Sequence, residues 1–92
     1  GQEAARLCAI NIISHLRNAL NGDLDRVVRC VRLTGFVNCT PDFGQQPLVI
    51  NGASDVMVAV FGDAGRHSRA AVGSVSLPRN VPVEVDAIFE VN

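Results

Sequence analysis

The chain has 92 residues, of which 48% are hydrophobic and only 4% aromatic, with neither Trp nor Tyr. This length fits one small domain over residues 1–92, whose core must be built from Val, Ile, Leu and Ala. Eight arginines against nine acidic residues give a formal net charge of −1, whereas a dedicated nucleic-acid binder usually carries a basic surplus. We therefore expect no nucleic-acid partner, and no apolar run of the roughly 18 residues that cross a membrane.

The cysteines are three in number, Cys8, Cys30 and Cys39, with no CxxC spacing. An odd count argues against a paired extracellular framework, so we expect free thiols and a cytoplasmic location. A chain this short buries only about 60% of its unfolded surface, although nearly half of its side chains are apolar. A second buried apolar face is therefore expected, which predicts a homo-oligomer.

Residues 2 to about 20 form the first predicted helix, because apolar side chains recur on one stripe at helical spacing. Asn21-Gly22 ends it with residues that tolerate positive φ, and Asp23 is a candidate cap for a short turn that reaches Arg26. His15 lies at the edge of the stripe, and a partly buried structural role is expected for it.

Residues 27–37 are rich in β-branched side chains and form the first predicted strand. Simple alternation puts Leu33 on one face and Cys30 and Phe36 on the other, so both faces are partly apolar. Helices on one side and a neighbouring subunit on the other would cover them. The same alternation turns Arg29 away from Arg26 and Arg32, so the three arginines form no single patch for a phosphate backbone.

A helix-start signal at Thr40-Pro41-Asp42 precedes a second predicted helix, which Pro47 restarts and which runs to residue 61. Residues 68–76 and 81–91 are predicted to be strands of a hairpin joined by residues 77–80. The last strand alternates, with Ile88 the one apolar residue on its polar face. The fold class is therefore α+β, a two-layer sandwich with two helices on one face of a mixed sheet.

The usual catalytic motifs are missing, since the chain has no phosphate-binding glycine loop, no GxSxG and no HExxH. His67 lies in a polar loop, where an ordinary exposed histidine is expected rather than a general base. With only His15 and His67, no metal site is expected, because no recognised ligand spacing is present.

Two residues nevertheless suit chemistry. Arg69, in Arg66-His67-Ser68-Arg69, could grip a carboxylate with its planar fork, or it could form a surface ion pair with Asp63 or Glu90. Glu84 could orient a water in a cleft, or it could be an ordinary solvated side chain of the last strand. For Arg66 and Arg69, spacing alone favours a surface ion pair. For Glu84, spacing does not decide between the two roles.

Several segments together resemble the YjgF-type family of reactive intermediate deaminases, whose members also carry the label endoribonuclease L-PSP. The first helix with the Gly22-Asp23 turn, and the stretch from Leu33 to Phe43, resemble its first half. The closing third carries the more specific similarity. Its matching segments are Ser68-Arg69-Ala70-Ala71-Val72, Leu77-Pro78 and Val83-Glu84-Val85-Asp86-Ala87-Ile88.

The resemblance implies a chorismate-mutase-like fold, a homotrimer with clefts between subunits, and cofactor-free hydrolysis of enamines and imines to 2-oxo acids and ammonia. By position, Arg69 matches the arginine that holds the substrate carboxylate, and Glu84 the acid near the attacking water. Asn51 lies near the matching cleft helix. Ala71 stands in the substrate site where many members have Ser or Cys, so one polar contact is missing.

The family normally begins with a β-hairpin before the first helix, whereas this sequence begins at the helix, which suggests an N-terminally shortened form. An alternative function keeps the trimer and the cleft without catalysis, with Arg69 holding a small 2-oxo or related carboxylate as a regulatory ligand. RNA cleavage, which rests on a family label alone, ranks last.

Overall fold

The structure, a computed structural model, describes all residues 1–92. Two helices and three strands alternate along the chain with three short 3₁₀ turns between them. The helices and strands are α1 (Gln2–Ala19), β1 (Val27–Asn38), α2 (Gln46–Phe61), β2 (Ser68–Ser74) and β3 (Val83–Val91). The 3₁₀ turns are Leu24–Arg26, Gly62–Gly65 and Pro78–Asn80.

Helix α1 ends as its sequence predicts. Asn21 and Gly22 take positive φ angles of 55° and 88°, a backbone region that Asn and Gly tolerate better than other residues. The Asp23 carboxylate then accepts a hydrogen bond of 3.1 Å from the Asp25 amide, which caps the turn to Arg26. His15 is exposed on this helix, so the expectation of a partly buried histidine is wrong.

The sheet has three strands in the order β2-β1-β3, with β2 parallel and β3 antiparallel to β1. The mixed sheet and its two-helix layer confirm the predicted α+β sandwich. The predicted hairpin between the last two strands is wrong, because β2 and β3 lie on opposite sides of β1. The end of β1 is held between them, since the Cys39 amide donates to Ser74 O and the Asn38 amide to Pro82 O.

The start of β1 departs from simple alternation. Register shifts in its pairing with β3 leave Val28 and Val31 without a directly opposed partner, which is the signature of β-bulges. Cys30 therefore faces the core together with Leu33, contrary to prediction. Arg29 and Arg32, predicted to point apart, oppose Glu90 and Ile88 and share the other face.

Helix α2 begins at Gln46, with Pro47 in its first turn, so the predicted earlier start at Thr40 is also wrong. The segment Gln46–Gly65 has 20 residues and a mean hydropathy of 1.3, long and apolar enough by composition to cross a membrane, contrary to expectation. In the fold it packs against α1 and the sheet, with Ile50 and Met57 fully buried. Core helices of globular proteins pass the same compositional test, so it is weak evidence for a membrane span.

The core lies between the helices and one face of the sheet, with Leu33, Ile50, Met57 and Cys30 as its largest fully buried side chains. The opposite face carries no helix. We call it the uncovered sheet face; Ile88 is 58% exposed there and Val72 42%. Register places Arg32, Phe36 and Glu84 on the same face.

Candidate functional site

Arg69 is held against α2 without any acidic partner. It lies on β2 opposite Leu33, and its side chain therefore points to the helix layer. Its Nη1 donates to Ser54 Oγ at 3.1 Å and its Nη2 donates to the Pro47 carbonyl at 3.3 Å. Both partners are neutral, and Arg69 takes part in none of the ion pairs of the chain.

Asp63 and Glu90, the acidic partners considered for Arg69, form ion pairs with other arginines. Asp63 pairs with Arg66 at 3.3 Å, on a well-exposed part of the surface. Glu90 pairs with Arg29 at 3.2 Å across the uncovered sheet face. The ion-pair interpretation therefore holds for Arg66, whereas Arg69 remains available for an anionic ligand.

His67 is a half-buried part of the same network, not the exposed loop residue that the sequence suggests. Its Nδ1 lies 2.6 Å from the Gly65 carbonyl oxygen, and its Nε2 lies 3.0 Å from Ser54 Oγ. Because a carbonyl can only accept, these contacts assign the proton of the neutral imidazole to Nδ1. Nε2 is then an acceptor, and the Ser54 hydroxyl donates to it.

These side chains line an open cavity of about 320 Å³, which we call the α2–β2 cavity. Asn51 and Ser54, three residues apart, project into it from the same face of α2. The cavity thus brings Asn51 and Arg69 together. Its complete lining is Asn51, Ser54, Asp55, Val58, Arg66, His67 and Arg69. A guanidinium beside amide, hydroxyl and imidazole groups suits a small anion such as a carboxylate.

Glu84 and Ala71 are not part of this cavity. Glu84 is exposed on β3 opposite Phe36, so it faces the uncovered sheet face, away from Arg69. Ala71 lies opposite Gly35 and packs against the core. Within one chain, Arg69 and Glu84, which are expected to act on the same substrate, therefore lie on different sides of the sheet.

The three cysteines are free, with Cys30 buried and Cys8 and Cys39 half-buried. Burial raises the pKa of the Cys30 thiol above its usual range. For Cys8, burial is again the larger cause, and the negative charge of Glu84 raises the pKa further. Both thiols are therefore poor nucleophiles at neutral pH.

Sequence reasoning missed the contact between Ser54 and His67. No known motif spaces a serine thirteen residues before a histidine, and the sequence indicates only an ordinary exposed loop position for His67. The contact exists because the chain leaves α2 through Gly62–Gly65 and returns along it as β2. The signal in the sequence was the polar group Asn51, Ser54 and Asp55 on a largely apolar helix.

The fold has counterparts among known proteins. "Protein TCP17" from Trypanosoma cruzi is 54% identical over an alignment of 93 positions that covers all of this chain and 58% of that protein. The crystal structure of Atu1372, a protein of unknown function from Agrobacterium tumefaciens, matches 99% of the chain with a TM-score of 0.97 and 54% identity. A "putative endoribonuclease" from Shewanella oneidensis matches 99% of the chain with a TM-score of 0.93 and 35% identity.

The chain spans about three-fifths of the length of these relatives, 58% of Protein TCP17 and of Atu1372 and 60% of the Shewanella protein. A family model described as "YjgF/chorismate mutase-like, putative endoribonuclease" matches residues 1–90. The resemblance read from the sequence is thereby confirmed, and so is the fold that it implied. The chain belongs to the YjgF/chorismate mutase-like family.

Proposed function

We propose that this protein hydrolyses small enamines and imines that carry a carboxylate, releasing a 2-oxo acid and ammonia. The proposal rests on the orientation of the Arg69 side chain and on its lack of an acidic partner. Its guanidinium is oriented by Ser54 Oγ and the Pro47 carbonyl, has no acidic partner, and lines an open cavity. An oriented guanidinium that forms no ion pair is well suited to bind a carboxylate in a bidentate manner.

The bound carboxylate would fix the position of the neighbouring C=N carbon. A water attacks that carbon, the new C–O bond forms, and the C–N bond then breaks. Nitrogen leaves as ammonia after it has taken protons from the water and the surrounding solvent, and the carbonyl of the 2-oxo acid remains. Arg69 contributes mainly through orientation, which removes much of the entropic cost of the attack.

Glu84 is the proposed acid that orients the attacking water, and its position makes an assembly necessary. Since Glu84 and Arg69 of one chain face opposite sides of the sheet, the acid of each site would come from a second copy. A homotrimer, as the family resemblance implies, supplies such copies by cyclic symmetry. The exposed apolar residues of the uncovered sheet face support an assembly of this kind.

The same observation favours one alternative. In a single chain Arg69 and Glu84 face opposite sides of the sheet, so Arg69 can anchor an anion without Glu84, which suits a protein that binds a small carboxylate and does no chemistry. RNA cleavage, suggested by the description of the Shewanella protein, ranks third, because the charge is balanced and no Tyr or Trp is present to stack on bases.

A coupled assay tests the proposal, with a pyridoxal-phosphate dehydratase generating the imine from serine or threonine. We expect the protein to accelerate ammonia release, Arg69→Ala to abolish the effect, and Arg69→Lys to restore little, because Lys lacks the fork. Arg17→Ala is the matched control, since Arg17 is exposed at the end of α1. Unchanged acceleration by Arg69→Ala would overturn the proposal.

Calorimetric titration with 2-oxobutyrate separates the two leading functions. Binding that depends on Arg69, together with no acceleration of ammonia release, would support the carboxylate-binding alternative. Binding and acceleration that are both lost in Arg69→Ala would support the deaminase.

A further inference from the structure

The α2–β2 cavity contains a serine and a histidine that take part in no chemical step of the proposed imine hydrolysis. Ser54 Oγ, His67 Nε2 and the Gly65 carbonyl form a continuous chain of hydrogen bonds, 3.0 Å and 2.6 Å long. We propose that Ser54 is a nucleophilic serine activated by His67, and that it accepts acyl groups from small activated esters. This activity goes beyond the deamination proposed above.

The direction of the hydrogen bonds carries the argument. The Gly65 carbonyl fixes the imidazole proton on Nδ1, so Nε2 presents its lone pair to the Ser54 hydroxyl. A nucleophile hydrogen-bonded to a base, with the base oriented by a third group, is the arrangement that activates serine. Here a backbone carbonyl takes the orienting position that an aspartate holds in the familiar triad.

Donors for the developing oxyanion lie beside the nucleophile. Arg69 Nη1 is 3.1 Å from Ser54 Oγ, so the guanidinium would stabilise negative charge on this oxygen and on the oxyanion of the acyl carbon that bonds to it. Asn51, one turn earlier on α2, lines the same cavity and can supply a second donor through its side-chain amide. Charge develops next to a fixed cation, as electrostatic stabilisation requires.

The reaction balances with water as the only co-reactant. Ser54 Oγ bonds to the acyl carbon while its proton passes to His67 Nε2, and the alcohol leaves with that proton as the ester C–O bond breaks. Water then attacks the acyl-serine, again with His67 taking its proton. The acid is released, and the proton returns to Ser54 Oγ.

A fluorophosphonate probe tests the nucleophile without any turnover. The Ser54 Oγ–P bond forms, the P–F bond breaks, and fluoride leaves, so intact mass and peptide mapping report one adduct at Ser54. Ser54→Ala should give no adduct, whereas Ser14→Ala, at an exposed serine of α1, should label like the wild type. His67→Gln keeps an acceptor near Ser54 but removes the base, and should slow labelling by about a hundredfold.

Hydrolysis of p-nitrophenyl acetate should follow the same order among these variants. A folded wild-type protein that takes no adduct at Ser54 would overturn the inference, and so would labelling that His67→Gln leaves unchanged. Neither readout involves an imine, so failure here leaves the deaminase proposal standing, and failure of the coupled assay leaves this one standing.

Discussion

Arg69 and Glu84 lie on opposite faces of the same three-stranded sheet. Arg69 is level with Leu33 on one side of β1, and Glu84 is level with Phe36 on the other. Two strand spacings and three residues of offset separate their Cα atoms by about 14 Å. One copy of the chain therefore cannot direct both side chains at one small substrate.

A mixing experiment uses this separation. Arg69→Ala and Glu84→Gln should each be inactive in the coupled assay, but oligomers assembled from both variants should regain activity. In a symmetric ring, each site would take Arg69 from one copy and Glu84 from its neighbour. Random mixing of the two variants therefore restores about a quarter of the sites. If mixed oligomers form, as shown by mass spectrometry of tagged copies, and stay inactive, Glu84 does not complete a neighbour's site.

The uncovered sheet face predicts where the copies meet. Ile88 is 58% exposed in the single chain, so Ile88→Asp should leave the fold intact while it weakens self-association. Val75, which is 76% exposed just after β2, provides the control Val75→Asp. Sedimentation velocity should give a smaller species for Ile88→Asp alone; an unchanged sedimentation coefficient would place the interface elsewhere.

The contact between the helices depends on Gly52. A Cβ at this position would overlap the backbone carbonyl of Gln2, which cannot move aside as a flexible side chain could. Gly52→Ala should therefore lower the free energy of unfolding by about 3 kcal/mol, at the upper end of overpacking costs. Gly44→Ala, at a position with open space, should change it by less than about 0.5 kcal/mol in urea unfolding. Equal stabilities for the two variants would contradict this packing.

Stability should decline at alkaline pH because of the thiols. The pKa values of Cys8 and Cys30 are raised above the usual 9.0 in the folded state, so folding favours their protonated forms. That contribution is complete below pH 9.0 and is lost as the pH rises through the raised values. The chain has no Lys and no Tyr that would titrate in the same range. Urea unfolding from pH 7 to 11 measures the decline.

Glu84→Gln supplies the control for Cys8. Removing the negative charge lowers the pKa of this thiol towards its usual value, so iodoacetamide should modify Cys8 faster than in the wild type. Cys30, whose pKa is raised by burial alone, should react at the same slow rate in both proteins.

For the pH series, a free energy of unfolding that does not change up to pH 11 would contradict the effect of burial on the two thiols.

Local patterns in the sequence predicted the elements well, because each depends on neighbouring residues. The stop at Asn21-Gly22, the Asp23 cap and the alternation of β3 all follow from residues a few positions apart. Strand order does not. Two strands joined by Leu77-Pro78 resemble a hairpin in sequence, and only the parallel return of β2 after α2 forces β3 to the far side of β1.

The candidate site could likewise be predicted from the sequence only in part. Arg69 could be named from the sequence, since its residue type and the family resemblance both point to it. Its partners could not, because Ser54 and His67 meet only after the turn at Gly62–Gly65 brings β2 back along α2. Cys30 shows the limit of periodicity most simply, since one extra residue in a β-bulge turned it from the predicted face to the core.

The central position of β1 has a consequence for how the molecule opens. It is the one strand hydrogen-bonded on both sides, and Leu33 at its middle is fully buried. Amide protons of β1 should therefore exchange with deuterium only through global unfolding, whereas those of β2 can exchange through local opening. Arg69 and His67 stand on or just before that looser strand. Local opening of β2 is therefore expected to widen the cavity for small molecules while the centre of the sheet stays closed.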